Sequence, residues 1–160
     1  MENLTILILS AILLSTTPQQ INIDLPKEEI NIQQVQENAI QNVTSEERYL
    51  VARIVKCESG NQPLEVQKQV ASSIFNRVKD ERFPNTITEV IYAPNQYTPT
   101  MLPSWFEKWQ PDENSYLAVD EVIKYGTVSD CLYFESCKGS SWHSRNLELV
   151  YSNGVMRFYK

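Results

Sequence analysis

Glu58 is the residue whose type and position best suit chemistry. Leu50, Ile54, Cys57 and Glu58 are four, seven and eight residues apart along the chain, which places them on one stripe of a helix. Gly60 and Asn61 follow directly, and both residue types commonly close helices. The spacing therefore predicts a helix over 49–58, with Glu58 in its last turn, at the edge of a core and beside the next loop. Partial burial disfavours a charged carboxylate, and the negative end of the helix dipole acts in the same direction. A carboxylic acid that keeps its proton near neutral pH can donate it to a glycosidic oxygen. The same spacing also fits a helix-terminal Glu that faces solvent or pairs with Arg53 or Arg77, and spacing alone does not choose between the two.

Two other constellations compete. Cys57 with His143, the only histidine, would make a thiol nucleophile and its base. Cys57, Cys131, Cys137 and His143 would make a Cys₃His zinc set, although Cys131 and Cys137 lack the tight knuckle spacing of such sites. Neither has supporting sequence context. A phosphate-cradling loop is excluded, because the chain has only four glycines and no Gly-rich run.

These side chains must be positioned by a folded unit that begins near Thr44. Thr44-Ser45-Glu46-Glu47 is a capping-box pattern that starts the Glu58 helix. Pro63 suits the first position of a second helix, in which Val66, Val70, Ile74 and Val78 recur every four residues and Ala71 and Phe75 widen the apolar face. A short helix is predicted over 86–92, then a long Pro- and aromatic-rich loop over 93–111, the kind of loop that often carries function. An amphipathic helix is predicted over 112–125, with Tyr116, Val119 and Ile123 inward and Gly126 as its cap. Leu132-Tyr133-Phe134 reads as a strand, and Asn153-Gly154 between apolar runs predicts a hairpin. The expected class is mainly α (α+β), a helical domain over 44–160 with a small C-terminal β element.

The 160 residues carry a net charge of −6, with 14 basic residues scattered among 20 acidic ones. Without a basic cluster, nucleic acid is not an expected partner. An apolar run over 4–14 fits a signal-peptide core, but it follows Glu2 with no Lys or Arg before it and lacks a good cleavage pattern. Residues 1–17 are read as a signal peptide, with a membrane anchor or a buried segment as the alternatives. Residues 18–43 are read as a polar linker. The chain is expected to be exported, to the cell exterior or wall, with a membrane-anchored form as the alternative, and to be a monomer. In that setting a Cys131–Cys137 disulfide and three unlinked thiols are equally good readings.

Several separated motifs occur together and in order: Cys57-Glu58-Ser59-Gly60-Asn61-Gln62-Pro63, then Asn76-Arg77-Val78, Arg82-Phe83-Pro84-Asn85-Thr86, Val90-Ile91-Tyr92, Asn95-Gln96-Tyr97, and finally Leu132-Tyr133-Phe134, Trp142 and Phe158-Tyr159-Lys160. Taken together, residues 46–160 resemble the SleB-like cell-wall hydrolases, which include spore-cortex-lytic enzymes. The resemblance implies a lysozyme-like fold and cleavage of the MurNAc–GlcNAc bond of peptidoglycan glycan strands by lytic transglycosylation, with neither cofactor nor metal. It places the catalytic acid on Glu58 and implies substrate contacts from Gln96 and Tyr97. The alternative for Tyr97 is a ring that pins its loop to the core. Family members commonly carry a second Glu where this chain has Gln62, whose amide can still bond a sugar or orient water. Cys57 and Met156-Arg157 are further departures. Arg77 is expected to brace the structure or a carboxylate. Tyr92, Trp105 and Trp109 are expected to pack within the core or loop, with sugar stacking as the alternative. A hydrolytic muramidase, or a wall-associated module that binds glycan without cutting it, are the alternative functions.

Overall fold

The structure, a computed structural model, describes residues 40, 42–101 and 103–160. The export segment and nearly all of the linker read from the sequence lie outside the described residues, as does the side chain of Trp105.

Helix α1 (Ser45–Ser59) starts at the capping box read from the sequence. The Thr44 hydroxyl accepts from the Glu47 N–H at 3.2 Å, and the Glu47 carboxylate accepts from the Thr44 N–H at 3.0 Å. Its buried face is Val51, Ala52, Ile54, Val55 and Ser59, so the Leu50–Cys57–Glu58 stripe runs along the margin of the core. Gly60 closes the helix in a right-handed conformation, φ −64°. Glycine is needed there for room, because a Cβ would stand 2.5 Å from the Lys56 carbonyl oxygen.

Helix α2 (Leu64–Lys79) begins one residue after Pro63, which is its cap and not its first helical residue. It is the central helix: Val70, Ala71 and Ile74 are wholly buried, and a buried Val or Ile side chain contributes ~1.5–3 kcal/mol. It packs on α1 and on α5 (Glu113–Tyr125), which also pack on each other, so the core is a three-helix cluster. Helix α5 starts at a second capping box, Asp112 with Ser115, and ends at Gly126 with φ 91°. The short helix α3 (Ile87–Tyr92) is capped by Thr86. The predicted loop over 93–111 contains a 3-10 turn (Thr98–Met101) and a one-turn helix α4 (Pro103–Phe106). Arg53 of α1 holds this segment by donating to the backbone carbonyls of Trp109, at 2.9 Å, and Phe106.

The C-terminal part is a three-stranded antiparallel sheet in the order β1-β3-β2, made of β1 (Tyr133–Ser136), β2 (Leu149–Ser152) and β3 (Met156–Tyr159). The hairpin turns where expected, with Gly154 at φ 83° and the Asn153 side chain accepting from the Val155 and Met156 N–H groups. β1 begins and ends later than the strand read over 132–134. A short helix α6 (Trp142–Asn146), capped by Ser141, lies between β1 and β2 and was not foreseen. Phe158, Met156 and Cys131 join the sheet to the helical core.

All three cysteines are unlinked, so the Cys131–Cys137 disulfide is not formed. Strand β1 lies between them, and six residues of near-extended chain span on the order of 20 Å, against about 6 Å between the Cα atoms of a disulfide. Cys131 turns inward, its thiol donating to the Gln69 backbone carbonyl at 3.5 Å.

Candidate functional site

The last turn of α1 carries Glu58 to the junction of helical core and sheet. It lines a cavity of about 330 Å³ with Asn61, Gln62, Phe134, Glu135 and Met156 among the walls. Burial raises the Glu58 pKa above the usual carboxylate value, and the positive charge of Arg77 partly opposes this. The direction expected from position alone is present, and desolvation is its main cause.

Arg77 is 4% exposed, and its job is bracing. Its Nε donates to the Leu132 carbonyl at 2.7 Å and its Nη1 to the Tyr97 hydroxyl at 3.0 Å. The guanidinium lies over three rings, Phe83, Tyr97 and Tyr133, at 5.2, 5.2 and 5.7 Å from their centroids. On the same helix, Asn76 donates to the carbonyls of Ser129 and Cys131 at 2.8 and 2.9 Å. Helix α2 thus anchors the chain entering β1, and through it one wall of the Glu58 cavity.

Of the expected substrate contacts, Gln62 reaches the Glu58 cavity, where its Oε1 accepts from the Asn153 side chain at 3.1 Å. That bond crosses from the helical part to the hairpin turn. Gln96 is exposed and lines a second hollow of about 210 Å³ with Arg77, Tyr133, Phe134 and His143. The two hollows share Phe134, so the structure sets Glu58, Gln62 and Gln96 along one surface. Tyr97 requires a correction. Its ring is 1% exposed and its hydroxyl is bonded to Arg77, so it has no face to offer a sugar. Loop burial won because Arg77 supplies the buried hydroxyl with a donor.

Tyr92, by contrast, is 54% exposed. It lines a broad groove of about 780 Å³ whose walls include Phe83, Asn85 and Pro94. Pro94 precedes Asn95, which lines the Gln96 hollow, and the Phe83 ring packs on Tyr133 of that hollow with centroids 5.9 Å apart. The three depressions adjoin.

Glu135 was missed by the sequence reading. It lines the same cavity as Glu58, from the sheet side. Its carboxylate accepts from the Tyr159 hydroxyl at 2.8 Å and lies 3.3 Å from Arg157 Nη2 and 3.4 Å from His143 Nδ1. Burial alone would raise its pKa, but the hydrogen bonds from Ser141, Tyr159 and His143 and the charge of Arg157 outweigh it, so the net direction is down. The signal was faint: a Glu inside an aromatic strand, whose partner Arg157 is evident only once the register Glu135↔Arg157 is known.

The rival sites do not assemble. Burial pushes the Cys57 thiol up to about 11, which leaves it protonated and a poor nucleophile, while His143 is engaged with Glu135 and stacked near Tyr159. Among the described residues, no three His, Cys, Asp or Glu side chains are placed to hold a metal ion.

The fold and chain have clear relatives. The crystal structure of the catalytic domain of the Bacillus cereus SleB protein matches with a TM-score of 0.66 and 26% identity, covering 77% of this chain and 96% of that one. The catalytic domain of the germination-specific lytic transglycosylase SleB from Bacillus anthracis matches with a TM-score of 0.65 and 25% identity, over 76% of this chain and 100% of that one. No match was found among curated proteins. The Cell Wall Hydrolase family matches residues 61–159, well over half of the sequence, and the chain belongs to that family.

Proposed function

We propose that this protein is a lytic transglycosylase that cuts the MurNAc–GlcNAc bond of peptidoglycan and leaves 1,6-anhydro-MurNAc ends. The observation that carries the reading is the half-buried Glu58, held toward its protonated form in a cavity on a surface that also presents Gln62 and Gln96. The neutral acid donates its proton to the oxygen linking muramic C1 to the next sugar, and the C1–O bond breaks. The Glu58 carboxylate then accepts the proton of the C6 hydroxyl as that oxygen closes on C1. Glu58 ends protonated again, and no water is consumed. The membership in the cell wall hydrolase family and the likeness to a lytic transglycosylase domain support this choice. The substrate lies outside the cytoplasmic membrane, which fits the export read from residues 4–14.

The test is digestion of purified peptidoglycan by the full chain, with products read by mass spectrometry. Anhydro-muropeptides are the expected result. Reducing ends would make the protein a hydrolytic muramidase, and binding without any new ends would make it a glycan-binding module.

On this reading the glycan continues from the Gln96 hollow onto the exposed Tyr92 ring. Tyr92→Ala is then expected to raise KM for long strands about fivefold, a loss of ~1 kcal/mol of stacking, with little change for short fragments. Equal KM values for the wild type and Tyr92→Ala on long strands would remove Tyr92 from the groove.

A further inference from the structure

The Glu58 cavity is walled by carboxylates from two different parts of the fold, Glu58 from the end of α1 and Glu135 from β1. Their surroundings differ in kind. The one opposing charge acting on Glu58 is Arg77, and burial outweighs it. Glu135 sits among donors from two elements: Tyr159 and Arg157 on β3, and His143 on α6. Its side chain is 15% exposed, so it is held in one place. Asn61 and Gln62, the polar side chains of the turn that follows Glu58, are uncharged amides. Glu135 is therefore the fixed anion of this cavity.

Breaking a glycosidic bond builds positive charge on the sugar being cut, at C1 and the ring oxygen. A protonated Glu58 supplies the proton but no negative charge until the proton has left. A preorganised anion in the same cavity favours the charged transition state without reorganising. We propose that Glu135 is a second catalytic carboxylate of this site, whose fixed negative charge stabilises the glycosyl cation formed as Glu58 protonates the leaving oxygen. This rests on the glycan-cleaving reading above. Glu135 forms no covalent bond and transfers no proton, so the atom balance of that reaction is unchanged. Two carboxyl groups with opposite shifts also divide the pH dependence. Glu135 must be ionised, which sets the acid limb of kcat/KM, and Glu58 must be protonated, which sets the alkaline limb.

The experiment compares the full wild-type chain with Glu135→Gln on soluble glycan strands across pH, together with thermal melting. The expected result is a kcat about 100-fold lower, KM within about twofold, and disappearance of the acid limb. In the wild type, carbon NMR of the Glu135 carboxyl must show it titrating with the acid limb, a readout that holds even if the variant does not fold. An acid limb that survives the substitution, a kcat within about threefold of wild type, or a Glu135 titration away from the limb would overturn the assignment and leave Glu135 as the clasp between α6 and the sheet. A wild type that releases no chain ends would instead defeat the glycan-cleaving reading, and Glu135 with it.

Discussion

Glu58→Gln is expected to lower glycan cleavage by roughly 10³-fold or more while glycan binding persists. The amide keeps the shape and polarity of the carboxyl and fills the same place at the end of α1. What it loses is the transferable proton, and with it both steps proposed for Glu58. The fold should not suffer. The wild-type carboxyl has its pKa raised by burial, so its ionisation opposes folding. That destabilisation is absent below the unfolded carboxylate value and develops as pH rises through the raised folded value. A neutral amide escapes it. Thermal melting should therefore show the variant at least as stable as the wild type at neutral and alkaline pH. A stable, glycan-binding but inactive variant assigns the acid. Activity that survives would move the catalytic group elsewhere, and a variant that melts early would show that Glu58 serves the core.

The parts of this fold that sequence reveals are those governed by local periods and caps. Thr44 with Glu47, the four-residue recurrence from Val66 to Val78, and Asn153-Gly154 each depend on neighbours within a few residues, and each gave the element expected. The site itself is only half local. Glu58 lies at a helix end that its own flanking residues define. Glu135 becomes a site residue only through pairing across the sheet with Arg157 and packing under α6, and α6 is a one-turn helix whose single local mark is the Ser141–Ser144 cap. Tyr97 shows the same limit from the other side. An aromatic ring in a long loop suits a sugar or a core equally well, and the choice was made by a cation 20 residues earlier, on helix α2. Tyr92, on the outer side of α3, kept its face free.

Arg77 braces the structure and also acts on the Glu58 carboxyl, and Arg77→Met should separate the two effects. Methionine fills much of the same volume, so little cavity forms. The change removes the donors to the Leu132 carbonyl and the Tyr97 hydroxyl, and the cation that lies over three rings. Removing a buried charge returns its desolvation cost, which favours the variant. Against that stand two buried acceptors stripped of their charged donor, each worth about 1–3 kcal/mol, and the lost cation–π contacts. The losses should win, giving a net destabilisation of ~2–3 kcal/mol and a melting temperature roughly 10 °C lower. The second effect has a definite sign. Arg77 is the charge that holds the Glu58 pKa down against burial. Without it Glu58 keeps its proton to higher pH, so the alkaline limb of kcat/KM should move upward while the acid limb stays in place. Profiles measured well below the lowered melting temperature test this directly. A variant that is less stable but has an unmoved alkaline limb would show that Arg77 is only a brace. A moved limb would show that the same guanidinium which anchors the strand entering the sheet also sets the pH range over which the acid can act.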